Sequence, residues 1–143
     1  MPYVITPIFV AAATTAVTVR AADSGTRYIV PDLTADCTWT LPSPQAGLHY
    51  EWSYSGAASD AQDWIIQADS ASAYFKGGLT HLDDDAGSAG DEVVPVYSDA
   101  NSNDFMRILT PDAGTTVVLD CDGTNWYANG LVVSSTAPTF ADT

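Results

Sequence analysis

The sequence predicts an all-β protein: an antiparallel β-sandwich or barrel of short strands, preceded by an extended N-terminal arm. Three observations carry that prediction. Apolar and polar residues alternate in short runs along most of the chain, the period of a half-buried strand. Nearly every gap between runs holds Gly, Pro, Asp, Asn or Ser, whose backbone freedom or local hydrogen bonding suits turns. Sixteen of the 18 acids are Asp, which caps turns, and only Glu51 and Glu92 are Glu, which favours helix interiors. No amphipathic helical stripe interrupts the pattern.

The elements follow in chain order. Residues 1–13 read as an extended arm. The stretch 3–19 is rich in Val, Ile, Ala and Thr, but Pro2 and Pro7 interrupt it and no Lys or Arg precedes it. That is a poor signal peptide and too short a membrane span, although a cleaved secretion signal is the alternative reading. Residues 14–134 form the body. Its first strand is expected at 14–20, and Ser24-Gly25 turns the chain into a second at 26–30, which Pro31 ends. Cys37, Trp39 and Leu41 share one face of the next strand, with Thr38 and Thr40 on the other. In the run from His49 to Tyr54, Tyr50, Trp52 and Tyr54 point inwards while His49, Glu51 and Ser53 point out. Further strands are expected at 64–68, 72–75, 92–97, 105–109, 115–121, 126–128 and 131–134, and a single helical turn at 57–63. Asp122-Gly123 between alternating runs predicts a tight hairpin, because Gly accepts positive φ. Residues 77–91 read as a long solvent-facing loop, and 135–143 as a polar C-terminal tail.

Composition narrows the function. Arg20, Arg27, Lys76 and Arg107 are the only strong bases against 18 acids, a net charge of −14. Four scattered bases cannot neutralise a run of phosphates, which excludes a nucleic-acid reader and disfavours an anionic membrane surface. The charge serves solubility and repels DNA and other acidic particles; an acidic extracellular or halophilic background explains it equally well. Cys37 and Cys121 both fall in alternating runs and read as small buried apolar residues, with a disulfide as the alternative and no zinc-ligand spacing around either.

Catalytic chemistry finds little support. His49 and His81 are the only histidines, and neither lies near a nucleophile motif. Asp83, Asp84 and Asp85, with Ser88 and Asp91, could offer oxygens to calcium but lack the EF-hand spacing, so a solvated loop is expected. Trp39, Trp52, Trp64 and Trp126 could stack on sugars; core packing is the expectation for them. Neither a cofactor, a metal nor a small-molecule substrate is implied, and the chain is not expected to be an enzyme.

Four strings resemble modules of tailed-bacteriophage virions: Ala-Ala-Asp-Ser-Gly-Thr-Arg-Tyr-Ile-Val at 21–30, Trp-Thr-Leu-Pro at 39–42, Ala46-Gly47-Leu48 with Tyr50-Glu51-Trp52, and Asp-Gly-Thr-Asn-Trp-Tyr at 122–127. Such strings occur in capsid decoration (cement) proteins and in β-rich tail-fibre modules. The resemblance implies a virion structural protein on the outer capsid surface, assembled in the host cytoplasm, often a homotrimer. Its partner would be the major capsid protein, whose neighbouring subunits it holds together. The alternative it implies is a tail-fibre or tail-tip module that binds a host surface receptor or glycan. The absence of helical segments departs from the lambda-type decoration fold. On this reading the arm is the partner-binding element: Tyr3, Val4, Ile5, Ile8, Phe9 and Val10 would add a strand to a capsid sheet, and repetition around the shell would supply avidity.

Overall fold

Alternating runs become strands where their apolar half finds a second layer to face. The computed structural model describes residues 6–56, 62–84 and 92–143. In chain order the strands are β1 (Ile8–Phe9), β2 (Ala16–Thr18), β3 (Thr26–Val30), β4 (Cys37–Thr40), β5 (His49–Tyr54), β6 (Trp64–Gln67), β7 (Phe75–Asp83), β8 (Val93–Tyr97), β9 (Phe105–Ile108), β10 (Thr116–Cys121), β11 (Trp126–Ser134) and β12 (Thr139–Ala141). The only helical element among the described residues is a 3-10 turn, Ala21–Asp23. The protein is thus nearly all β.

The strands form two open sheets. The longer has seven, in the order β1-β3-β5-β10-β11-β7-β8; the shorter has five, in the order β12-β9-β6-β4-β2. Up to β7 the chain alternates between the sheets, so β1, β3 and β5 run parallel in one while β2, β4 and β6 run parallel in the other. The later strands pair mostly antiparallel: β10 joins β5 to β11, β8 lies on β7, and β9 joins β6 to β12. One late ladder, β11 on β7, is again parallel.

Aromatic side chains fill the space between the sheets. Trp39, Trp52, Trp64, Trp126, Tyr50 and Phe75 are fully buried. Trp52 of the long sheet meets Trp39 of the short one edge-on at 5.9 Å, and Tyr28 stacks on Trp52 at 5.6 Å. Burial pushes the Tyr50 phenol up to about 12, and its hydroxyl donates to the Arg20 carbonyl at 2.9 Å. Cys37 and Cys121 are free thiols within this core.

Several expectations are corrected. The sheets are mixed rather than antiparallel, because Ser24-Gly25 carries the chain from one sheet to the other instead of closing a hairpin. Among the described residues neither sheet closes into a barrel, since each keeps two edge strands. Residues 77–83 belong to β7, not to a loop. Their glycines hid the strand, and neighbouring backbone requires them: a Cβ on Gly77 would lie 2.6 Å from the Ala128 carbonyl, and one on Gly78 2.2 Å from that of Val96. Residues 72–74 precede β7 instead of forming a strand, while 126–134 is one continuous strand. The C-terminal stretch is not only a tail, for Thr139–Ala141 pairs with β9. Most of the helical turn expected at 57–63 lies outside the described residues, as do Tyr3, Val4 and Ile5 of the arm.

Candidate functional site

The outer face of the long sheet and its two edges carry the features that suit binding. Paired residues share a face, so the registers assign the side chains. Arg27, Glu51, His49 and Asp120 stand together on the outer face of β3, β5 and β10. Arg27 Nε donates to Glu51 Oε2 at 2.7 Å, Glu51 Oε1 lies 3.3 Å from His49 Nε2, and His49 Nδ1 lies 2.7 Å from Asp120 Oδ1. The Asp120 carboxylate, helped by Glu51, raises the pKa of His49 despite partial desolvation. The Arg27 guanidinium lowers that of Glu51. Among the described residues both ring nitrogens of His49 face carboxylates, and Ser24 Oγ accepts from its main-chain N–H at 3.0 Å, so the row is an ion-pair ladder. The outward placement of His49 and Glu51 was legible in the alternation; their partners needed the strand order.

Apolar edges flank this polar centre. At one, Ile8 and Phe9 are 43% and 75% exposed, while Val10 packs against the core. The arm residues 8–9 are therefore already paired, in parallel, with β3. Val10 N donates to the Ile29 carbonyl at 3.1 Å. In this parallel register Ile8 and Val10 turn their main-chain groups to β3, which leaves the N–H and C=O of Phe9 facing outwards. At the other edge, Val93 and Tyr97 of β8 are 67% and 71% exposed. Val93, Pro95 and Tyr97 share the outer face with Leu82, Thr80 and Gly78 of β7. Val94 turns to the inner side with His81, yet is 38% exposed, so the short sheet stops before β8.

The remaining sequence candidates resolve individually. His81 is buried, with Nε2 3.0 Å from the Ser134 carbonyl. Asp85, Ser88 and Asp91 of the expected acidic loop lie outside the described residues. Among the described residues no group of three or more His, Cys, Asp and Glu could hold a metal ion. Asp84 instead lies beside Asp112, distant in sequence. Burial, then a hydrogen bond and repulsion from Asp84, push the Asp112 carboxyl up to about 6. All four tryptophans are core residues, leaving Phe9, Tyr97 and Tyr127 as exposed rings on the long sheet.

Compared with protein-family models, with curated proteins and with solved structures, the chain matches none.

Proposed function

We propose that the protein is a virion structural protein, a capsid decoration protein that sits on the outer surface of a phage head and holds neighbouring major capsid subunits together. One observation carries the reading: the long sheet ends in exposed apolar strands on both sides. Six strand spacings separate β1 from β8, about 29 Å. A binder of one small partner needs a single apolar patch, whereas two at opposite edges suit a piece that bridges two neighbours. The virion-like strings lie in this body, on β3, β4, β5 and the β10–β11 turn. The net charge of −14 suits a protein kept outside a shell packed with DNA.

In this reading the protein works by binding alone, without turnover or cofactor, as a homotrimer whose copies multiply weak contacts. At the β1 edge, Phe9 offers a capsid strand both its ring and its free main-chain groups, with Ile8 and Val10 holding the register. Tyr3, Val4 and Ile5 would extend the contact. The finer picture is a sandwich body with a binding arm.

The test is co-sedimentation of the full chain with heads stripped of it. Phe9→Asp should bind about tenfold more weakly or worse, the loss expected of a contact hot spot. Equal binding by that variant removes the arm from the mechanism, and label confined to tails replaces the head assignment. A second reading, a tail module binding a host glycan, draws on Tyr97 and Tyr127, exposed on the same sheet face. Glycan-array binding abolished by Tyr127→Ala would favour it.

A further inference from the structure

The Phe9 edge offers main-chain groups to a strand; the β8 edge is built differently. Ser98 N donates to the Gly77 carbonyl at 3.1 Å, and Asp83 N to the Glu92 carbonyl at 3.0 Å. Those bonds fix the phase of the antiparallel ladder: residues 92, 94, 96 and 98 face β7, while Val93, Pro95 and Tyr97 turn their main chain outwards. Pro95 has no N–H to give. It therefore interrupts the free edge at its midpoint without costing the sheet a bond, the usual way an edge strand resists pairing. Whatever binds β8 must do so through side chains.

Those side chains are apolar and unusually open. Val93, Pro95 and Tyr97 project from the outer face, and Val94 is uncovered on the inner one. The strand projects past the short sheet like a ledge. Acids bracket it: Glu92 immediately before and Asp99 shortly after, with Asp83 ending β7 alongside. Three backbone N–H groups, of Asn101, Ser102 and Asn103, hold Asp99 Oδ1 in place and keep that carboxyl well below the usual carboxylate range. The ledge thus combines a greasy centre with a fixed negative border.

We propose that β8 is a docking ledge for a protein partner whose apolar cleft receives Val93, Pro95 and Tyr97 and whose rim carries Arg or Lys. The proposal rests on the bridging role given above and names its second contact. Charge selects the occupant. A second copy of this chain docked here would set acid border against acid border, whereas a basic rim meets that border favourably.

The experiment uses the full chain, with stripped heads and separated tails as two probes, at low and moderate salt. Tyr97→Asp and Val93→Asp alter side chains already in water, so both should keep the native near-UV circular dichroism. Each should weaken particle binding about tenfold or more, as loss of a central contact does. Binding of the unaltered chain should also fall as salt screens the border. Undiminished binding by both variants overturns the ledge, and salt-independent binding overturns its basic partner. Self-association of the unaltered chain that Tyr97→Asp abolishes assigns the ledge to a second copy and overturns the proposal. If tails rather than heads capture the chain and Tyr97→Asp weakens that capture, the ledge stands and the capsid reading falls. Binding to neither particle overturns both.

Discussion

At the scale of single residues, His49 has the clearest experimental consequence. It lies between two carboxylates, with Arg27 beyond Glu51, and its imidazolium completes the alternation of charge along the row. Because the folded pKa is raised above the ordinary value of 6.5, folding binds a proton more tightly than the open chain does. The stabilisation is therefore fully present below about pH 6.5 and disappears as pH rises through the higher folded value. The row is partly exposed, so solvent screening limits the effect to about 1 kcal/mol or less. Thermal melts between pH 5 and 9 should show this loss in the native protein. His49→Gln should remove that component of the slope, and an unchanged slope would mean the imidazolium contributes nothing to folding.

At the scale of elements, close backbone approach decides what can be changed. Gly130 lies midway along β11 where β10 crowds it: a Cβ there would sit 2.1 Å from the Thr116 carbonyl and 3.1 Å from the Val117 Cα. Gly130→Ala should cost roughly 2 kcal/mol or more in urea unfolding, since backbone on both strands must shift. Gly25, unlike Gly130, has positive φ, and its added Cβ would meet open space. Gly25→Ala should cost only about 1 kcal/mol, the strain of a left-handed alanine. Equal losses at the two sites would mean that crowding at Gly130 costs no more than a left-handed alanine at Gly25. The same contrast explains what the sequence revealed. The β10–β11 hairpin was readable because Asp122-Gly123 is local chemistry: Asp122 Oδ1 accepts N–H groups from Thr124 and Asn125, each at 2.8 Å, and Gly123 supplies the positive φ. The inward set Cys37, Trp39, Tyr50 and Trp52 was readable from period-two alternation for the same reason. Strand β7 was not, because its glycines answer to β8 and β11, which are remote in sequence. Parallel pairing was equally hidden, since alternation states which face is buried but not which strand lies beside it. The two-ended arrangement of the candidate surface depends wholly on that strand order.

At the scale of the whole molecule, the two sheets stand or fall together through their shared aromatic core. Trp52 touches rings of both sheets: Tyr28 and Tyr50 on its own, Trp39 and Trp64 on the other. Trp52→Ala should cost about 3–5 kcal/mol, transfer loss plus an unfilled cavity. Urea unfolding followed by far-ultraviolet circular dichroism and by fluorescence should give one coincident transition. Two separated transitions would show that the layers are independent. The position of the β10–β11 hairpin has a further bearing on biogenesis. It is wedged at the centre of the long sheet, between β5 and β7, although both flanking strands are translated before it. A growing polypeptide must therefore hold that slot open, with two sticky borders unsatisfied, until residue 134 has been made. Completion of the long sheet waits on β10 and β11, so nascent copies that stall short of residue 134 are natural clients for chaperones or proteases.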